Sequence, residues 1–328
     1  MKLNELRTFL GRDWDETAAF IRSSLKSDID LLNVTNEAIL SNSGKQLRPI
    51  LSLLIARACS GKGATMDSIR FAAASELLHN ATLLHDDVAD ESKERRGMPT
   101  VMSLLGGPAS VLIGDFWLVR AVDAILSADS GTGRVIRVFS KTLSDLAEGE
   151  MLQLQKAGAG DTDEADYYRI IYSKTASLFE AAAESAAISV GAGEEMLHAV
   201  RKYAVEIGLA FQIKDDMFDY SMTSDSIGKP VGIDLDEQKI TMPLLGALAS
   251  ATPEEAREIR RKVASIHETP SYKDEIRSFV LEKDGLAYAC RKMEGHVSDA
   301  VKAISVLPDS EERDYLVKIA EYIAVRNR

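Results

Sequence analysis

Apolar residues recur at helical spacing along almost the whole chain, and this periodicity most narrows what it can fold into. Over residues 66–90 they fall at Ile69, Ala72, Ala73, Leu77, Ala81 and Leu84, the pattern of a helix facing a core. Residues 133–156, 164–190, 194–220 and 273–325 repeat it, and no run alternates apolar and polar residues as a half-buried strand would. Proline, which breaks helices, occurs only 8 times in 328 residues. Turn residues fall between the periodic segments: Ser-Asn-Ser-Gly at 41–44, Gly-Lys-Gly at 61–63, Gly-Ala-Gly at 158–160 and the stretch 224–236. The expectation is an all-α fold, a single domain over residues 1–328 built as a bundle of about ten helices. The polar, proline-bounded stretch 250–275 reads as a surface excursion.

Two acidic clusters interrupt this apolar pattern. Asp86-Asp87-Val88-Ala89-Asp90 closes one helix, and Asp215-Asp216-Met217-Phe218-Asp219 closes another 129 residues downstream. At 100° per residue, Asp86 and Asp90 project within about 40° of each other, with Asp87 beside them. Carboxylates so grouped repel, and at a helix C-terminus they also oppose the macrodipole. A hard divalent cation relieves both problems, because it prefers carboxylate oxygens. Mg²⁺ bridges a few carboxylates to substrate phosphates, so two such clusters suggest two metal platforms facing one diphosphate. Neutralising a departing diphosphate is the help that an ionising C–O bond needs.

The charge balance sharpens this. The formal net charge is −12, which argues against nucleic acid as a partner. An anionic substrate must therefore meet a concentrated basic, metal-bearing pocket. Two widely spaced cysteines, Cys59 and Cys290, form neither a disulfide framework nor a metal-ligand pair and fit a reducing compartment. The first residues carry early acids, unlike a signal peptide, and the apolar run 50–56 is far short of the roughly 20 residues of a membrane span. A cytoplasmic protein without a transmembrane segment is expected.

Several ordered motifs over residues 40–245 resemble the trans-isoprenyl (polyprenyl) diphosphate synthase family. Gly44-Lys45-Gln46-Leu47-Arg48-Pro49 is similar to its GKxxRP element, and His79 lies two turns before Asp86. The first aspartate cluster trails into Arg95-Arg96-Gly97. Lys174-Thr175, Phe211-Gln212 before the second cluster, Gly228-Lys229-Pro230 and Lys239-Ile240-Thr241-Met242-Pro243 complete the set. Ala89, the segment 101–107 and Phe116 depart from the family pattern, and none is a proposed ligand.

The resemblance implies an isoprenoid synthase bundle with a central active-site cavity and a chain-elongating trans-prenyltransferase. Asp86 and Asp90, with Asp87 adjacent, would hold two Mg²⁺ ions on the allylic diphosphate. Asp215, helped by Asp216 and Asp219, would hold a third. Arg95, Lys174, Lys229 and Lys239 would contact the allylic diphosphate, and Lys45, Arg48, His79 and Arg96 would clamp isopentenyl diphosphate. Thr175 and Gln212 would lie near the developing cation. The family is usually a homodimer, for which the apolar run 111–126 is a candidate face.

The resemblance also places a length-determining wall upstream of Asp86. Ala81 and Thr82 are small there, and Leu78 and Ser75 continue the wall. From Asp86 back to Ser75 is about 16 Å of helix, deep enough for a heptaprenyl to nonaprenyl product centred on octaprenyl. Phe139, Met151 and Trp117 are candidate floor residues. The alternatives are a short-chain farnesyl or geranylgeranyl synthase, a class I terpene cyclase, and a regulatory subunit of a heteromeric synthase.

Overall fold

Thr65 begins the helix that organises the first half of the chain. In a computed structural model describing residues 3–221 and 232–326, its hydroxyl accepts from the Ser68 backbone N–H, and the Ser68 hydroxyl accepts from the Thr65 N–H. This reciprocal cap satisfies donors that a helix start leaves unpaired. The helix Met66–Ala89 then buries residues on all sides, including Phe71, Leu77, Leu78 and the run Ala72–Ala74. A helix apolar all round belongs inside a bundle. It packs against Arg12–Ser24, Leu47–Ser60 and Gly107–Leu126. Full burial of Phe71 or Leu77 contributes about 1.5–3 kcal/mol each.

Of the described residues 79% are helical, and the all-α expectation holds. Among the described residues the strands are limited to Glu94–Arg95 paired antiparallel with Met98–Pro99. The helices outnumber the ten expected, because tight turns cut the periodic runs. Gly106, at φ +88°, separates Val101–Leu105 from Gly107–Leu126. Residues Tyr172–Ala176 form a π turn between Glu164–Ile171 and Ser177–Ser189.

The residues group into two compact units. The first takes the described residues of 1–140, 180–201 and 304–318; the second takes those of 141–179, 202–303 and 319–328. Polar pegs hold the first unit. Trp117, fully buried, donates its Nε1–H to Asn36 Oδ1 at 2.8 Å. Asp67 accepts from the Asp129 and Ser130 N–H groups and from Arg70. In the second unit Met242–Ala249 packs on Tyr272–Glu282 and Gly285–Ala303. The stretch 250–275 is not an excursion. Pro253–Ala264 is a helix with a Thr252 capping box, Ile259, Val263 and Ile266 are buried, and Arg260 donates to the Gly160 and Thr162 carbonyls. An amphipathic helix can be mostly polar and still fill a core with one narrow stripe. Among the described residues no helix is long and apolar enough to cross a membrane.

Candidate active site

The first unit carries the first acidic cluster. The helix Met66–Ala89 ends in it, with Asp90 as the C-cap. Asp86 is half-buried, Asp90 is exposed and Asp87 is buried. Asp87 turns back to accept from Arg95 Nε at 2.8 Å. Burial raises its carboxyl above the usual range and Arg95 opposes that. The cluster therefore divides into two accessible carboxylates and one that anchors Arg95.

Arg48, His79, Arg95 and Arg96 gather beside this helix. Burial, then the three guanidiniums, hold the His79 imidazole well below its ordinary value, so it is neutral at neutral pH and offers one N–H donor and one acceptor. Burial lowers Arg48 to about 10, with Glu76 opposing. Arg96 is lowered by burial too, and donates to the Asn42 carbonyl at 2.8 Å. A Cβ at Gly44 would lie 2.5 Å from the Arg96 guanidinium carbon, and Gly44 has φ +69°. The positive φ favours glycine, and the near atoms are the far end of a flexible arginine side chain. Gln46, Glu91 and Arg96 are non-glycine residues at positive φ here, a strain that concentrates at functional sites. Lys45 sits in the same loop, its carbonyl accepting from Arg7 at 3.4 Å.

Ser75, Leu78 and Ala81 are buried on the same helix, and Thr82 is half-buried with its hydroxyl on the His79 carbonyl. Trp117 and Phe139 are buried, whereas Met151, in the second unit, is 66% exposed.

The second unit carries the second cluster, at the end of Glu194–Ser221. All three carboxylates are engaged. Asp216 is buried and accepts from the Tyr167 hydroxyl at 2.6 Å and Gln212 Nε2 at 2.8 Å. Burial raises it to about 7, against those two hydrogen bonds. Asp215 accepts from Arg326 at 2.7 Å, and the Arg326 guanidinium lies 3.9 Å from the Phe211 ring centre. Asp219 accepts the N–H groups of Gly232, Ile233 and Asp234, capping the turn Ile233–Asp236.

Lys174 and Thr175 lie within the π turn, a form that recurs at functional sites. Neighbouring glycines make room for its extra residue. A Cβ at Gly149 would lie 2.4 Å from Ser173 Cβ, and one at Gly208 would lie 2.6 Å from Ala176 Cα. Thr175 donates to Gln212 Oε1 at 2.7 Å. The order Thr175, Gln212, Asp216, Tyr167 is thus one hydrogen-bonded chain. Lys174 pairs with Glu150 at 2.7 Å and donates to Gln153 at 3.1 Å. Lys239 pairs with Glu237. Lys174, Tyr167, Gln212, Asp216, Asp234 and Lys239 all line one cleft. Lys229 lies outside the described residues.

A sequence model of the polyprenyl synthetase family matches residues 29–280. The chain belongs to this family. It is a trans-prenyltransferase of the polyprenyl diphosphate synthase class. The octaprenyl diphosphate synthase of Escherichia coli (strain K12) is 38% identical, over 100% of both chains. Among solved structures, a polyprenyl synthase from Caulobacter crescentus complexed with calcium and isoprenyl diphosphate superposes with a TM-score of 0.90 at 32% identity, covering 100% of this chain and 98% of that one. A decaprenyl diphosphate synthase from Rhodobacter capsulatus does so with a TM-score of 0.90 at 36% identity, covering 100% of both.

In this polyprenyl synthetase, sequence reasoning missed several residues at the two clusters. Tyr167 and Arg326 carry no local signal, because their partners lie 49 and 111 positions away. Asp234 stands in a stretch of several acids, and only the fold reveals that it lines the cleft with Asp216. Glu76 was visible as an acid inside the apolar run 66–84, the one cue available.

Proposed function

We propose that this synthase condenses an allylic diphosphate with isopentenyl diphosphate in a Mg²⁺-dependent reaction, repeated to an all-trans product of heptaprenyl to nonaprenyl length, octaprenyl favoured. One observation carries the reading: in a chain of net charge −12, Arg48, His79, Arg95 and Arg96 converge beside an acid-ended helix. Diphosphate is the ligand such a cationic nest suits, arginine forks matching its oxygens and lysine adding point charge.

Asp86 and Asp90, with Asp87 behind them, and Asp215, with Asp216 and Asp219, are the proposed holders of three Mg²⁺ ions. The donor set fits: every candidate ligand is a carboxylate oxygen, the choice of a hard ion. Among the described residues no three acids or imidazoles converge into a ready-made cage. The calcium and isoprenyl diphosphate in the Caulobacter crescentus relative support a divalent ion too. When bound, Mg²⁺ supplies positive charge to the departing diphosphate.

The protein's own groups do the remaining work. Arg95, Lys174, Lys229 and Lys239 hold the allylic diphosphate as its C–O bond ionises. Lys45, Arg48, His79 and Arg96 orient isopentenyl diphosphate so that its double bond attacks the allylic cation. The Thr175 and Gln212 dipoles, fixed by their mutual hydrogen bond, face the cation. The released diphosphate takes the proton. Residues 1–328 act as one synthase domain, and Ser75, Leu78, Ala81 and Thr82 border the growing chain.

A cytoplasmic homodimer is part of the proposal. Leu112, Val119 and Leu126 are 69%, 55% and 57% exposed and recur every seventh residue, which puts them on one face of Gly107–Leu126. Both cysteines are free, in keeping with a reducing compartment. The test of function is uptake of labelled isopentenyl diphosphate by the purified chain with farnesyl diphosphate. Uptake should vanish on chelation and return with Mg²⁺; uptake that persists in chelator would refute metal dependence.

A further inference from the structure

The hydrogen-bonded chain at the second cluster ends on Tyr167, which no step of the proposed reaction uses. Tyr167 lies on Glu164–Ile171 and is 3% exposed. Its hydroxyl donates to Asp216 Oδ2 at 2.6 Å, and Asp216 Oδ1 accepts from Gln212 Nε2 at 2.8 Å. One bond on each oxygen fixes the plane of the carboxylate. A carboxylate only accepts, so Gln212 must turn its NH2 toward Asp216 and its carbonyl away. That carbonyl, Oε1, accepts from the Thr175 hydroxyl at 2.7 Å. Thr175 thereby donates its single hydrogen to Gln212, which leaves its oxygen lone pairs facing away from Gln212. Both backbones hold this arrangement. Gln212 and Asp216 are four residues apart on one face of Glu194–Ser221. Tyr167 and Thr175 are eight apart, which in a plain α-helix would leave them about 80° out of line. In the π turn the Ser177 N–H reaches back five residues to the Tyr172 carbonyl, and the wider turn brings Thr175 back toward the Tyr167 face. The Tyr167 ring stands edge-on to Tyr168, with 5.9 Å between ring centres.

We propose that Tyr167 is a positioning residue for the ionisation step: through Asp216 it sets the direction of the Gln212 amide, so that Thr175 presents its oxygen, not its hydrogen, to the developing allylic cation. This rests on the assignment of Thr175 and Gln212 to that cation. A cation is stabilised by the negative end of a dipole and opposed by the positive end, and a dipole oriented beforehand needs no reorganisation as charge develops. Against this stands the freedom of the amide, whose terminal torsion is broad and roughly two-fold. A reversed Gln212 would donate to Thr175 and free the hydroxyl hydrogen to point at the cation. It would also set its carbonyl against the Asp216 carboxylate, two acceptors with no hydrogen between them. The flip is therefore disfavoured as long as the carboxylate is held in plane. Without Tyr167 one of its two bonds is gone and it can turn. The Tyr167 hydroxyl is committed to Asp216, so it acts through Asp216 and Gln212 and not on the substrate.

The test is single-turnover condensation of farnesyl diphosphate with labelled isopentenyl diphosphate on the full chain, varying both substrates and Mg²⁺, which separates chemistry from product release. Tyr167→Phe keeps the ring and removes the donor. It should slow the saturated step by roughly tenfold or more, the order expected for a lost hydrogen bond to a charged group. The half-saturating concentrations of both substrates and of Mg²⁺ should stay within about twofold. Thr175→Val should slow the same step, and adding Tyr167→Phe to it should do little more, since residues in one hydrogen-bond network are non-additive. Asp216→Asn carries the test if the Phe variant does not fold. Its oxygen can still accept from Tyr167, but its NH2 then faces Gln212 and reverses the amide, so the step should slow even at saturating Mg²⁺. An unchanged rate in the variant tested, a loss that excess Mg²⁺ restores, a loss confined to weaker substrate binding, or additivity with Thr175→Val would overturn the role of Tyr167. If Thr175→Val leaves the step unmoved, the assignment of Thr175 to the cation fails, and the role of Tyr167 with it.

Discussion

Replacing Gly208 by alanine would set a methyl group 2.6 Å from Ala176 Cα and 2.8 Å from Ala176 Cβ. Ordinary carbon contacts begin near 3.5 Å, so the backbone of the π turn must retreat by roughly 1 Å. It cannot yield by rotating a side chain, because the nearest atom is backbone. Overpacking of this kind costs about 1–3 kcal/mol, a fall in Tm of about 2–4 °C for each kcal/mol. The larger effect is on catalysis. Ala176 directly follows Thr175, whose 2.7 Å hydrogen bond orients Gln212, and a misplacement of about 1 Å can slow a reaction by about 100-fold. The control is Gly295→Ala. Gly295 also lies inside a helix, Gly285–Ala303, but a Cβ there meets nothing within 4 Å. Relief of glycine's backbone entropy should stabilise that variant by about 0.5–1 kcal/mol. Thermal unfolding and kcat of the two variants separate contact from helix propensity. Wild-type kcat and Tm in Gly208→Ala would refute the claim that the π turn is held by that close approach.

Two further outcomes follow from the same geometry. Burial raises Asp216 to about 7 from an ordinary 3.8. A carboxyl whose folded value lies above its unfolded one favours folding while protonated, so that contribution is complete below about pH 4 and is lost as pH rises through about 7. Metal-depleted wild type should therefore lose Tm between about pH 4 and pH 7 relative to Asp216→Asn, and parallel pH profiles would refute the burial argument. Ala81→Phe, which fills the proposed wall of Met66–Ala89, should shorten the products made from farnesyl diphosphate, at a stability cost of about 1–3 kcal/mol. An unchanged product spectrum would place the length determinant elsewhere.

How much of this is legible without coordinates depends on the range of the interaction. The helix Met66–Ala89 is legible because its apolar residues and its terminal acids are local features. The all-α class follows in the same way. The π turn Tyr172–Ala176 is not, because its extra residue is accommodated by glycines on distant segments, and Lys174-Thr175 reads as ordinary helix. The helix Pro253–Ala264 reads as surface because its buried stripe is only Ile259 and Val263, a small share of a polar segment. At the clusters, the identities of Asp87 and Asp216 are evident from the motif, but their engagement by Arg95 and Tyr167 is not. Such pairings need burial and chain crossings that no spacing rule encodes.

The most direct measurement is the length distribution of products formed by the purified chain from farnesyl diphosphate, labelled isopentenyl diphosphate and Mg²⁺, with Asp86→Ala and Asp215→Ala in parallel. The account predicts all-trans products of heptaprenyl to nonaprenyl length, lost in both variants while each stays folded. Products that stop at twenty carbons would contradict the proposed length, and full activity in either variant would contradict the role of its acidic cluster.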